Sequence, residues 1–461
     1  MVKGDVVVEA VESEQKAEPP YPNSKYAWYV TTLLLLAYIL SFVDRQIMSL
    51  LIEPIKADFG LTDFRIGLLM GPAFAFFYVS LGIPIGWLAD RKSRRTIVGV
   101  GITVWCFMTA ACGLSRNFGQ LFVARIGVGA GEAVLTPSAL SLIADYFPQK
   151  QRARAVSLYM TGISLGGGVA YFVGGPLIAV LLTMPPFMLP IYGELAAWQT
   201  AFLIVGLPGL ILALLMFTVK EPIRRGLLAV KKGADNSSNE LPFKDSMIFL
   251  FQRKKAYLSL FFGMSVVTLV GYTGFWNAAL FERTWDWNIG TIGVTLGLAA
   301  LIFGPLGANG GGWIADFFTN KGIKDGPMRA MYYGVILTVV TNILYPLMPS
   351  GNIAMVFYIP SILGGAMASA CGAAACVHIA PNQVRAQATA IYWLIINMVG
   401  LMLGPPSIGI ITDLLGDPSY LKYSMALVPF IVGVPAILLI AWGLRHYKAA
   451  AEEAEAWAEK A

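Results

Sequence analysis

Long apolar runs separated by short polar segments organise the whole chain. Runs of spanning length fall near 27–51, 66–88, 96–114, 118–143, 155–182, 199–219, 256–281, 288–313, 328–348, 352–378, 388–412 and 424–444. A helix needs roughly 20 apolar residues to cross a bilayer's hydrocarbon, so the pattern predicts twelve membrane-spanning helices. Runs this continuous lack the single apolar stripe of a surface helix and the alternation of a membrane β-strand. The expected fold is therefore an all-α membrane protein. Its expected parts are a cytosolic N-terminal tail over 1–25, a six-helix bundle over 26–219, a polar cytosolic linker over 220–255, a second six-helix bundle over 256–445 and a cytosolic tail over 446–461. The stretch from Lys231 to Asn239 reads as flexible linker. The run Ala449 to Ala461, with four glutamates, reads as a short solvated helix. The acidic N-terminal tail lacks the basic segment and short apolar core of a cleavable signal, so the first span is expected to direct insertion.

Composition agrees with this reading. Hydrophobic residues make up 57% of the 461 positions and charged residues only 13%, against roughly 25% charged in a soluble domain. That excludes a soluble globular enzyme and a disordered chain. Of the 33 lysines and arginines, 26 fall in alternate inter-span segments that include both tails, five in the opposite segments and two inside spans. This bias predicts both termini in the cytosol and a multi-pass protein of the inner (plasma) membrane. It also accounts for the net charge of +6 without nucleic acid as a partner. Cys106, Cys112, Cys371 and Cys376 all lie in apolar runs and read as small buried hydrophobes. No metal-ligand spacing, phosphate-binding loop or nucleophile–base set appears, so neither a cofactor, a metal nor catalysis is expected, and energy must come from a gradient.

The two halves repeat each other. Gly86-Trp87-Leu88-Ala89-Asp90 ends the second span and Gly312-Trp313-Ile314-Ala315-Asp316 ends the eighth. Pro148 to Tyr159 similarly matches Pro381 to Tyr392. Two such pairs at nearly equal offset indicate duplication, with two six-helix halves related by a pseudo-twofold axis. Transporters built this way rock their halves about a site near the membrane midplane.

Two spans carry charges where they are costly. Span 1 holds Asp44-Arg45, and span 4 holds Arg125 and Glu132, seven residues apart on one helical face. An ionised side chain at mid-bilayer costs roughly 2.5–3.5 kcal/mol even on the gentler scale. Four of them are expected to face an aqueous cavity in the first half. A structural ion-pair network locking spans 1 and 4 is the plainer alternative. Their charges sum to zero, and protonating one carboxylate would free an arginine for a phosphate or carboxylate headgroup. Arg45 and Arg125 are thus the candidate headgroup ligands, and Glu132 and Asp44 the candidate proton carriers. Glu132 is preferred because its glycine-rich surroundings offer few competing partners. The second half has no comparable mid-span charge. Its candidate pocket residues are Tyr272, Trp276, Asn277, Asn309, Tyr358, Tyr392, Trp393 and Asn397. One charged half and one apolar, aromatic half suit an amphipathic substrate, head toward span 4 and tail toward spans 7, 8, 10 and 11. Glu282-Arg283 reads as an interfacial pair, with a gate pair as the less favoured reading.

The loop from Gly86 to Arg95 resembles the loop between spans 2 and 3 of the major facilitator superfamily, with Ser93 where glycine is usual. Asp90, Arg91, Arg94 and Arg95, with Arg152 from the Pro148 repeat, are accordingly the expected cytoplasmic gate. The glycines from Gly162 to Gly175 and Pro176 are similar to the superfamily's antiporter motif, although ordinary small-residue packing explains them as well. Ser41 to Arg45, the 86–95 loop, Arg125 to Ala133, Ala144 to Phe147 with Gln151 to Ala155, and Lys220-Glu221-Pro222 together resemble the Spinster family of this superfamily. The resemblance implies the superfamily fold in a bacterial member. It further implies a proton-linked carrier of lysolipids such as lysophospholipids or sphingosine-1-phosphate, working as a monomer by rocker-switch alternating access. Asp44, Arg45, Arg125 and Glu132 would then be the coupling and headgroup residues. Alternatives are a proton-linked carrier of small organic anions or drugs and, from another class, an uncoupled lipid scramblase or a membrane sensor.

Overall fold

The computed structural model describes residues 20–89, 91–190, 192–224 and 243–458. The expected gate residue Asp90, the linker run from Lys231 to Asn239 and nearly all of the N-terminal tail lie outside the described residues. Eleven helices among the described residues are long and apolar enough to cross a membrane. They are span 1 (Ser24–Leu50), span 3 (Arg94–Gly113), span 4 (Phe118–Tyr146), span 5 (Gln149–Thr183), span 6 (Ala197–Thr218), span 7 (Lys254–Trp285), span 8 (Ile289–Asn320), span 9 (Gly326–Leu347), span 10 (Gly351–His378), span 11 (Gln383–Leu415) and span 12 (Pro418–Ala454).

The twelfth crossing, span 2, is not one continuous helix. It runs as three short segments, Asp63–Met70, Pro72–Ser80 and Gly82–Ala89. The first break is at Gly71, whose φ of −104° and ψ of −91° leave the helical region. Pro72 follows and has no N–H to continue the ladder. Span starts are set by polar caps where the chain re-enters the apolar phase. Asn117, Asn288 and Ser350 accept the backbone N–H of Gln120, Thr291 and Ile353 at 3.0, 2.9 and 3.4 Å, satisfying donors that a helix start leaves open.

The linker region holds a helix, and the tail packs at its start. Phe243–Gln252 is a helix, and the final helix continues to Ala458. Tyr447, Ala450 and Ala451 are buried, so the beginning of the C-terminal tail is packed and not solvated. A two-stranded antiparallel hairpin, β1 (Phe187–Leu189) with β2 (Gly193–Leu195), connects spans 5 and 6. It is a small departure from the all-α expectation.

The halves meet at one end and part at the other. One apolar core runs through the first half and continues into Phe275 to Phe281, Ile292, Leu296, Leu401 and Ile408 of the second. A separate core holds the opposite end of the second half alone, from Leu250 and Tyr257 to Tyr392 and Tyr447. Glycines make the joined end tight. A Cβ on Gly175 would lie 2.6 Å from the Gly293 Cα and 2.7 Å from the Ile289 carbonyl. One on Gly67 would lie 2.7 Å from the Pro406 Cα. The backbones of spans 5 and 8, and of spans 2 and 11, therefore touch directly. The joined end is the closed end, and the other the open end.

Gly175→Ala is expected to destabilise the fold by roughly 1–3 kcal/mol, the usual cost of overpacking. Gly167→Ala, in the same helix but facing open space, is the matched control. Thermal melting in detergent should lower Tm for the first and leave the second unchanged.

Candidate functional site

Asp44 and Arg45 are neighbours in span 1, so their side chains leave the helix about 100° apart. Arg45 reaches span 4, where its Nε donates to Glu132 Oε2 at 2.6 Å. Its guanidinium lies 4.4, 4.7 and 4.9 Å from the ring centres of Tyr78, Phe74 and Phe42. Three aromatic faces thus share its charge with one carboxylate. Asp44 instead turns toward span 3, where the Thr109 hydroxyl donates to Oδ2 at 3.2 Å. Arg125 donates to the Asp44 main-chain carbonyl at 3.2 Å.

The four charged residues come together as the sequence suggests, but they are not solvated. Asp44, Arg45, Arg125 and Glu132 expose 0, 7, 1 and 1% of their surface. The expected aqueous crevice in the first half is therefore closed in this state. The aromatic trio covers Arg45, and the span 4 glycines draw neighbouring backbone over the rest. A Cβ on Gly131 would sit 2.7 Å from the Trp105 nitrogen. The span 4 helix breaks at Ala133 and Val134, directly after Glu132. Pro137 has no N–H for the Ala133 carbonyl. Asp44 Oδ1, Glu132 Oε1 and Arg125 Nε have no hydrogen-bond partner within the protein. The preference for Glu132 as the less partnered carboxylate is reversed: Glu132 holds the arginine, and Asp44 holds only a hydroxyl.

The second-half candidates do not form one lining. Tyr272 is half-buried and close enough to interact electrostatically with Arg45 and Tyr78 across the halves. Trp276 is buried, donating Nε1 to the Pro405 carbonyl at 2.9 Å. Asn277 is buried too and accepts from the Tyr345 hydroxyl at 2.6 Å, and Tyr358 packs on the Tyr345 ring. Tyr392 is buried against Phe261. Asn309 and Asn397 donate to carbonyls of their own helices, Pro305 at 2.8 Å and Trp393 at 2.9 Å. Trp393 is exposed. Buried Trp276, Asn277 and Tyr392 are thus packing residues here, because residue type alone does not reveal which helical face looks inward.

A cluster centred on Arg283, whose partners sequence reasoning missed, joins the halves at the closed end. Arg283 of span 7 donates to Glu53 at 2.7 Å and to both oxygens of Asp63 at 2.8 and 2.9 Å, all in the first half. Lys56 reaches the same Asp63 at 2.6 Å. Asp413 of span 11 accepts from the Asp63 and Phe64 backbone N–H at 3.0 and 2.9 Å. It places a carboxylate on the positive N-terminus of span 2. The Tyr171 hydroxyl adds a longer bond to the Gly274 carbonyl at 3.5 Å. Of the Glu282-Arg283 pair, Arg283 thus bonds across the halves. The available signal was a lone arginine facing lone acids at other span ends. Asp63 is buried, and its carboxylate is held by Arg283 and Lys56 together.

At the open end the expected gate is not assembled. Arg94 is buried within the first half, bonded to Asp145, to Glu221 at 2.8 Å and to the Ser141 hydroxyl at 2.9 Å. Arg95 donates to the Val219 carbonyl at 2.7 Å, and exposed Arg91 stacks on Trp87. Arg152 is half-buried with its Nε unpartnered. Among the described residues none of these four bonds to the second half. Arg94 and Arg95 instead tie span 3 to span 4 and to the segment at the end of span 6. Burial opposes the Glu221 charge, but the Arg95 N–H, Arg94 and Ser93 hold its carboxyl below the ordinary glutamate value.

Arg45→Ala is expected to cost roughly 3–5 kcal/mol by leaving the buried Glu132 charge alone. The double variant Arg45→Gln/Glu132→Gln should recover most of that in a melting experiment. Asp63→Asn removes the charge that Arg283 and Lys56 share, so spin-label distances between Gln120 and Tyr420, across the closed end, should widen in that variant.

The family model of the Major Facilitator Superfamily matches residues 34–405. An MFS-type efflux pump of Mycolicibacterium smegmatis is 29% identical over 398 residues, covering 85% of this chain and 86% of that one. Protein spinster of Drosophila melanogaster is 22% identical over 304 residues, 64% of this chain and 46% of the relative. A bacterial homologue of the human lysosomal transporter Spinster, in an inward-facing and unoccupied conformation, superposes with a TM-score of 0.76 at 26% identity, covering 94% of this chain and 98% of that one. The same homologue in its inward-facing, occupied conformation gives 0.74. A twelve-span fold closed at one end, with its charged network in the first half, and these likenesses lead to one conclusion: the chain belongs to the Major Facilitator Superfamily and is a multi-pass membrane transporter of the Spinster type.

Proposed function

We propose that this transporter moves an anionic amphipathic lipid, of the lysophospholipid or sphingosine-1-phosphate kind, coupled to protons by rocker-switch alternating access. The observation that carries the reading is the Arg45–Glu132 pair at 2.6 Å, buried beside unpartnered Asp44 Oδ1 and Arg125 Nε. A phosphate headgroup competes with Glu132 for Arg45, since both offer oxygens to the same guanidinium fork. The displaced carboxylate then takes a proton, because it cannot stay charged and unpaired in so dry a site. Asp44, bonded only to a hydroxyl, is suited to hold the second proton. The apolar tail finds spans 7, 8, 10 and 11, which carry no intramembrane charge like that of span 4.

The basic segments cluster at the open end, so that end faces the cytosol by the positive-inside rule. The molecule is then an inward-facing monomer of the inner membrane. Alternation follows from breaking the Arg283–Asp63–Glu53 cluster at the closed end while the first half moves as one body braced by Arg94 and Glu221. A small organic anion or drug as cargo is the second reading, favoured by the similarity to the efflux pump.

The test is transport of labelled lysophospholipid and sphingosine-1-phosphate in proteoliposomes, with and without an imposed pH gradient. Gradient-driven lipid movement is expected in the wild type. Glu132→Gln should lose the gradient dependence, and Arg45→Ala should lose transport. Lipid movement indifferent to the gradient would identify a scramblase. Movement of small anions alone would overturn the lipid assignment.

A further inference from the structure

The helix Phe243–Gln252 leads into span 7 at the open end and has two unlike faces. Ser246 and Leu250 are buried, with Met247 and Phe249 packed against the second-half core. On the opposite side Lys244, Ile248 and Phe251 follow at i, i+4 and i+7, so they form one stripe. Ile248 is 45% and Phe251 72% exposed. Lys244, Lys254 and Lys255 beside them are also exposed. The Lys254 Nζ lies 5.2 Å from the Phe251 ring centre, which couples a cation to the apolar anchor. Arg253 ties the helix down, stacking on Phe249 and pairing with Glu453 of the final helix at 2.7 Å. The one acid within the helix is Asp245.

We propose that this helix is a lipid-surface anchor lying in the boundary of the leaflet at the open end. Ile248 and Phe251 enter the acyl region, and Lys244, Lys254 and Lys255 meet the phosphates of anionic glycerophospholipids. Three observations select that occupant over a protein partner. The helix ends where span 7 begins, at Lys254, so its depth is that of the headgroups. Its exposed apolar stripe is flanked by cations with a single acid, complementary to an anionic leaflet. Its other face is already docked, and Glu453 fixes its tilt. The anchor pins the second half at the end where the halves separate, so lipid charge biases their spacing. The inference does not depend on which substrate is carried.

The test uses the full chain in nanodiscs with a nitroxide on Ile248→Cys. The four native cysteines are buried, and the unsubstituted chain gives the labelling blank. Collision with dioxygen is compared with collision with a water-soluble nickel chelate. In discs of phosphatidylcholine with phosphatidylglycerol, dioxygen should win. Adding Phe251→Glu should reverse that preference, as should discs of phosphatidylcholine alone or the triple variant Lys244→Ala/Lys254→Ala/Lys255→Ala. All these side chains are exposed, so melting temperatures should be unchanged. Nickel winning in anionic discs overturns the anchor. Equal dioxygen preference in neutral and anionic discs overturns the role of lipid charge. A label shielded from both probes, as in a protein contact, overturns the choice of partner.

Discussion

The buried pair between Arg45 of span 1 and Glu132 of span 4 is the constraint on which the rest depends. Both residues are buried, so each must find its counter-charge in the other. Spans 1, 2, 3 and 4 are arranged around that need. Phe42, Phe74 and Tyr78 supply π faces to the guanidinium, and the span 4 glycines let neighbouring backbone close over the carboxylates. The packing is tight but leaves oxygens and a nitrogen without partners.

A second constraint is set by where the two halves touch. At the closed end, glycine brings backbone to backbone, and the ion pairs of Arg283 lie on top of that contact. At the open end the halves keep separate cores. Contacts of the first kind depend on sub-ångström fit and the charges on distance, so the two reinforce each other only while the helices stay in register. At the open end Arg94, Asp145 and Glu221 tie spans 3 and 4 to the segment after span 6, all inside the first half. Of the residues expected to gate the open end, Arg94 and Arg95 form that brace.

Much of this was legible in the chain. Span number follows from the length of apolar runs, and duplication from the paired motifs at Gly86 and Gly312. Asp44, Arg45, Arg125 and Glu132 stand out because charge inside an apolar run is costly whatever the fold. Their pairing was not legible. Seven residues of spacing puts Arg125 and Glu132 on one face, yet Arg45 is the partner of Glu132, 87 positions away. Nor was the closed-end cluster. Glu53, Asp63 and Asp413 look like ordinary polar residues at span ends, and only the approach of distant helices makes them a seal. Among the aromatic candidates, Tyr272 faces the charged site and Trp276 is packed away, although both read alike.

Taken alone, then, the chain determined what belongs in lipid, how often it crosses and which side chains could not be left without a partner. These follow from transfer free energies that each segment carries wherever it is placed. Tertiary structure decided which charges meet, whether water reaches them and which end of the molecule is shut. Those outcomes turn on distances between helices remote in sequence, and no local pattern of residues encodes such a distance.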